Sequence, residues 1–182
     1  MSLRLRLAAL WLPRVVRERF FLELAERTAR AFESSAPNLS GLSGEPARLA
    51  FARFTQEKAA GLQADPPARA RAEARLREES VSFGRRLGSV LGVRTRADVL
   101  RAARLLYRSI RIDFAASASG GIRMTACSFA ETYSPATCRT IAALDEGLLV
   151  GLAGGGRLAF TSRLTEGAEA CRAQFDFPES LP

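Results

Sequence analysis

Apolar positions recur every three or four residues through the first hundred residues of the chain, and every second residue after about position 110. The first pattern reads as helices and the second as strands. Phe21, Leu24, Thr28 and Phe32 form the stripe of a first helix, which ends near Ser34-Ser35-Ala36-Pro37, and a Ser/Gly-rich loop follows. A second helix is expected from Pro46, a residue suited to a first turn, with Phe51, Phe54 and Leu62 along one side. After a break over 63–67, the longest helix spans 67–91, its face made of Leu76, Phe83, Leu87, Val90 and Leu91. Gly84, Gly88 and Gly92 recur every four residues beside that face. An interior helical glycine costs about 1 kcal/mol, so this spacing implies that another backbone comes close. Thr95 is placed to cap a fourth helix through Arg108, with Val99, Ala103, Leu106 and Ile110 as its stripe.

The period then changes. Ile110, Ile112 and Phe114 alternate with Arg111 and Asp113, Ser119-Gly120-Gly121 turns the chain, and Ile122, Met124 and Ala126 alternate on the way back. After a loop over 128–134, Pro135 opens a helix that stops at Gly154-Gly155-Gly156. Leu158, Phe160 and Ser162 mark a third strand and Cys171, Ala173, Phe175 and Phe177 a fourth, joined by a turn over 166–169. The glycine triplet follows a helix, precedes a strand and lacks a downstream Gly-Lys-Ser/Thr, which is the wrong order for a phosphate loop. The expected class is α+β, with N-terminal helices packed on a small four-stranded antiparallel sheet and a helix inserted between two hairpins.

Composition narrows the chemistry. The 182 residues, 47% of them hydrophobic and 25% charged, suit a globular chain with a core. No apolar run reaches the roughly 18 residues of a membrane-spanning helix. The short apolar run over 7–12 is followed by Pro13 and Arg14 without a small-residue cleavage site, so no signal peptide is expected and the cytoplasm is the expected location. The net charge of +8 is almost all arginine, Lys58 being the only lysine. Sequences such as Arg17-Glu18-Arg19 and Arg75-Leu76-Arg77-Glu78-Glu79 interleave both signs, as solvated helix faces do. Nucleic-acid binding is therefore not the expected role. With no histidine, imidazole relays and imidazole metal ligands are excluded. Three cysteines, Cys127, Cys138 and Cys171, do not suggest a disulfide framework.

The order of elements places the end of the second strand, the start of the helix after Pro135 and the start of the fourth strand at one end of the sheet. The three cysteines are therefore expected together, with Glu131, Tyr133 and Glu169 at the same end. Cys138, Ile141, Ala142, Asp145, Leu149 and Leu152 share one helix face, and Asp145 is the polar member of an otherwise apolar stripe. A carboxylate so placed needs a partner or a function, and Arg123 and Arg157 are the candidate partners. Cys171 has the inward parity of Phe175, but Cys127 has the outward parity of Arg123 and Thr125 and joins the others only if the strand bulges or ends. That parity, and a spacing unlike a metal motif, argue against a Cys₃ metal site. Cys138, in the first turn of its helix beside Arg139, is placed where a thiolate is favoured, which makes it the candidate nucleophile.

The segments Arg123-Met-Thr-Ala-Cys127-Ser-Phe, Cys138, Asp145, Arg157-Leu-Ala-Phe and Leu164-Thr-Glu-Gly167-Ala-Glu-Ala-Cys171-Arg-Ala-Gln-Phe175-Asp-Phe177 resemble the C-terminal half of the L-2-amino-thiazoline-4-carboxylic acid hydrolase family. The resemblance divides the chain into an N-terminal helical extension, 1–66, and an α+β hydrolase-like domain, 67–182. It implies hydrolysis of a C–N or C–S bond in a small cyclic amidine or thiazoline derived from an amino acid, with no cofactor. Cys138 would be nucleophile and Asp145 acid/base or ammonium anchor. Cys127, Cys171, Tyr133 and Glu169 would belong to the substrate pocket, and Arg123 or Arg139 would hold a substrate carboxylate. The closing Gly-x-x-x-Cys-x-x-x-Phe, with Gly147-Leu-Leu-Val-Gly151 and the glycine triplet, is also similar to 4-vinyl-reductase-type domains. That similarity implies the alternative, a non-catalytic module that binds a small molecule or metal. A homodimer through the N-terminal helices is a further expectation.

Overall fold

The structure, a computed structural model, describes residues 5, 7–8 and 12–179. Residues 9–11 of the apolar run over 7–12, on which the expectation of no signal peptide turned, lie outside them. Helices α1 (Arg14–Ala31), α2 (Gly44–Gly61), α3 (Pro66–Leu91) and α4 (Arg96–Ser109) come first, followed by β1 (Ile112–Ala116), β2 (Gly121–Cys127), α5 (Pro135–Ala153), β3 (Arg157–Ser162) and β4 (Cys171–Asp176). The four strands pair antiparallel in the order β1-β2-β4-β3. The class is α+β, helices packed on an antiparallel sheet, as the change of period implies. No helix among the described residues is long and apolar enough to cross a membrane.

Local chemistry sets the helix ends. The Asp65 carboxylate, the Thr95 hydroxyl and the Ser134 hydroxyl accept from Ala68, Asp98 and Thr137 N–H, capping α3, α4 and α5, and proline occupies the first turn of α3 and α5. Gly92 and Gly154 close α3 and α5 in the left-handed conformation. Gly92 is thus a stop signal rather than the third member of a packing stripe, and Val90, expected inside, is 53% exposed. Helix α2 begins at Gly44, two residues before Pro46.

Strand β2 holds the irregularity that matters most. Asp113 pairs with Ala126 but Phe114 pairs with Met124, so Thr125 is an extra residue, a β-bulge. Ile122 and Met124 face inward before it. Beyond it Cys127 lies opposite the buried Ile112, on the inner face. The bulge meets the condition under which Cys127, outward by simple alternation, joins the inner face.

The inner face of the sheet meets α4 and α5, and Phe21, Phe51, Val99, Leu149 and Phe175 belong to one core cluster. Residues of the stretch 1–66 therefore share the core of the sheet. Helix α5 also lies tightly on α3. A Cβ on Gly147 would fall on the Arg77 carbonyl, one on Gly151 on the Val81 carbonyl, and one on Gly84 on the Leu148 carbonyl. The buried Ser80 hydroxyl donates to the Leu144 carbonyl at 2.7 Å across the same contact. The close approach implied by the α3 glycines is thus made with α5. Gly147→Ala and Gly151→Ala are each expected to cost about 3 kcal/mol, since the obstructing atoms are backbone. Gly61→Ala, where a Cβ meets nothing within 4 Å, is the control for urea unfolding.

Candidate functional site

Between the sheet and the helices lies a cavity of about 100 Å³, lined by residues from all five helices and all four strands. It is many times the roughly 10–15 Å³ that one water requires. Its wall is predominantly apolar, with Phe20, Phe51, Phe83, Phe129 and Phe160 contributing rings, Met124 a thioether and Leu148 a branched side chain. Cys127, Cys138, Cys171, Tyr133 and Asp145 all line this cavity. The five thus share one cavity, and much of the rest of its wall is aromatic, which no sequence pattern indicated.

Three of the expected residues are elsewhere. Arg123 is exposed on the outer face of the sheet, opposite Arg172 on β4. Arg139 is exposed and pairs with Glu166 at 2.5 Å. Glu169 is exposed at the entry to β4. In each case the right end of the sheet was inferred but the side chain belongs to the solvent face, because neighbours of inward residues on strands and helices point outward.

Asp145 has neither expected arginine as its partner. Tyr107 of α4, itself buried, donates its phenol proton to Asp145 Oδ1 at 2.7 Å. The Tyr107 ring stacks on Phe114 at 4.8 Å with the two planes nearly parallel, which fixes the direction of the hydroxyl. No protein group among the described residues hydrogen-bonds Oδ2. Asp145 is half-buried by surface and lines the cavity. Burial raises its pKa from the ordinary 3.8 to about 6, with the Tyr107 hydrogen bond and the Arg163 charge partly offsetting the rise.

The thiols differ from the expected thiolate. Burial pushes Cys127 up to about 12, against a partly compensating hydrogen bond from the Phe129 backbone. Burial raises Cys138 as well, and the nearby Thr165 hydroxyl and Arg163 charge offset only part of this. Cys171 is raised in the same way although its sulfur accepts from Leu164 N–H at 3.3 Å. The helix N-terminus does not prevail over desolvation at Cys138, so all three are neutral thiols at pH 7. Among the described residues no group of three or more Cys, Asp or Glu side chains is arranged to hold a metal ion.

Tyr133 is buried, and its hydroxyl shares a 2.7 Å hydrogen bond with Thr55 of α2. Ser134 N–H donates to Gln56 Oε1 at 2.9 Å, and Phe129 packs on both Tyr133 and Phe51. The loop over 128–134 is thereby fastened to α2 as one wall of the cavity. Arg163, absent from the sequence expectations, stacks its guanidinium on Phe160 at 4.5 Å and bears on Asp145, Cys138 and Cys171. A tyrosine adjacent to Leu106 on the apolar face of α4 was the available signal for Tyr107. No spacing pointed to Arg163, which follows an irregularity in the β3–β4 ladder.

Compared with models of known protein families and with curated proteins, the chain matches none.

Asp145 holds its proton to higher pH in the folded chain than in the unfolded one. Between about pH 4 and pH 6 folding takes up a proton, so stability falls as pH rises through that window. The difference between 3.8 and about 6 corresponds to about 3 kcal/mol. Asp145→Asn keeps an acceptor for Tyr107 and is expected to be the more stable by about that amount at pH 7, with the advantage gone at pH 4. Urea unfolding at the two pH values is the measurement, and parallel stability profiles would refute the assignment.

Proposed function

We propose that this chain is a small-molecule-binding module whose cavity takes a mainly apolar ligand bearing one basic nitrogen. The observation that carries the reading is the single carboxyl, Asp145, in a predominantly apolar wall, with one oxygen held by Tyr107 and no protein hydrogen bond to the other among the described residues. An apolar pocket with few convergent polar groups is the usual form of a small-molecule site. A cationic nitrogen beside Oδ2 would replace the solvation that burial removes. The similarity of the 147–156 and 167–177 stretches to 4-vinyl-reductase-type domains supports the same reading. Neutral thiols fit a cavity wall better than a nucleophile.

Benzylamine, toluene and benzyl alcohol form a suitable probe series. The amine is expected to bind best, about tenfold more tightly at pH 7 than at pH 5 as Asp145 ionises, and Asp145→Asn is expected to abolish both its preference and its pH dependence. Calorimetric titration checks this. An amine no tighter than toluene, or an unchanged profile in the variant, would defeat the proposal.

A second reading, the aminothiazoline carboxylate hydrolase, is favoured by one observation. Asp145, with a pKa near neutrality, lines the same cavity as Cys138, so an acid/base group and a potential nucleophile face one substrate volume. It requires Cys138 to lose its proton when substrate is bound. On this reading wild type hydrolyses 2-aminothiazoline-4-carboxylate, and Cys138→Ser and Asp145→Asn each lower kcat/KM by at least about a hundredfold. Absence of turnover in wild type, or full activity in both variants, removes it.

A further inference from the structure

A second cavity, of about 720 Å³, lies where α1, the 36–43 loop, the start of α2 and the α4–β1 corner meet. Arg14, Arg17, Arg48, Arg108 and Arg111 line it, against only Glu18 and Glu26. Arg14 is committed to Glu18 and Ser43, each at 2.6 Å. The other four arginines have no carboxylate within ion-pair distance among the described residues. Arg48 Nε is shut off from solvent and has no hydrogen-bond partner. Burial and the neighbouring Arg111 charge both lower the Arg48 pKa, with Glu45 offsetting this only in part. Arg111 is held at that corner by a left-handed backbone, φ 61°, with its carbonyl accepting from Ser128 N–H.

Two neighbouring guanidiniums without an ion-paired carboxylate, one with a buried donor unsatisfied, are destabilising unless an anion completes them. A carboxylate would balance only one. A phosphate monoester carries a charge of about −1.5 to −2 at pH 7 and three acceptor oxygens, which suits a pair of guanidinium forks. The cavity is far larger than a phosphate group, and Phe21, Leu39 and Ala47 supply an apolar side. We propose that this cavity binds an organic phosphate monoester, its phosphate held between Arg48 and Arg111 and its organic part lying against Phe21 and Leu39. The site is independent of the Asp145 cavity.

The test titrates the 182-residue chain with phenyl phosphate, inorganic phosphate, an oligodeoxynucleotide without terminal phosphate, and phosphatidic acid vesicles. Phenyl phosphate is expected to bind saturably and about tenfold more tightly than inorganic phosphate, because of the apolar side. Arg48→Gln and Arg111→Gly should each weaken it by roughly 10- to 100-fold, while Arg172→Gln, on the exposed sheet face, leaves it unchanged. Glycine accepts the left-handed backbone at 111, so Arg111→Gly retains the fold and tests the site even if Arg48→Gln does not. Without ligand, Arg48→Gln should unfold at a higher temperature. The proposal is overturned by no saturable phenyl phosphate binding, by equal affinity for inorganic phosphate, or by insensitivity to Arg111→Gly. Tighter binding of oligonucleotide or vesicles than of phenyl phosphate also overturns it.

Discussion

Backbone contact between α3 and α5 determines where everything else can go. With Gly84 on one helix and Gly147 and Gly151 on the other, no Cβ separates the two chains at those points, and α5 is drawn deep into the molecule. One side of α5 is then occupied by α3, and its other residues must serve α2, α4 and the sheet. Cys138, Ile141, Asp145 and Leu148 end up on the side where aromatic residues of four helices and a loop do not fill the space completely. The cavity is thus set by the position of one helix, which small residues fix in place, rather than by a loop grafted onto the surface.

The carboxylate within that cavity is tolerated because it is only partly alone. Tyr107, aligned by its stacking on Phe114, gives it one hydrogen bond, and Arg163 contributes charge. Neither restores what water would provide, so Asp145 retains its proton to about pH 6. In a chain without histidine, such a carboxyl gains a proton-exchange range near that of imidazole through burial alone. The thiols respond to the same environment in the same sense: each is kept neutral by desolvation, and the one at the helix N-terminus gains too little from the dipole to escape it.

Much of the architecture was legible because it follows from period and punctuation. Val99, Ala103, Leu106 and Ile110 are all buried as the 3.6-residue stripe requires, and Thr95 through its hydroxyl, Pro135 through its fixed φ and Gly154 through its left-handed backbone mark helix ends, whereas the four-residue spacing of Gly92 from Gly88 concealed its role as a stop. That Cys127, Cys138 and Cys171 come to one end of the sheet was legible from connectivity and Asp145 from the helix stripe, but the inward facing of Cys127 depends on a bulge that the alternation of β2 did not reveal. Side-chain partners were less so. Arg123, Arg139 and Glu169 were assigned from proximity along the chain, but an arginine at a boundary gains more from hydration than from an apolar cavity. Tyr107 reaches Asp145 across 38 positions, and no local pattern encodes that pairing. The clustered arginines around Arg48 were read as solvated helix faces, which describes each one singly and misses their convergence from α1, α2 and the α4–β1 corner.

Thr125 has a role out of proportion to its chemistry. It is the supernumerary residue of β2, and it changes the phase of the strand so that even-numbered residues point inward before it and Cys127 does so after it. With Thr125 paired in regular alternation instead of bulged, β2 would present Ala126, not the Cys127 sulfur, to the interior. Membership of Cys127 in the cavity is therefore a matter of counting: the spacer, rather than the cysteine's own affinity for the core, decides which atom faces the ligand volume.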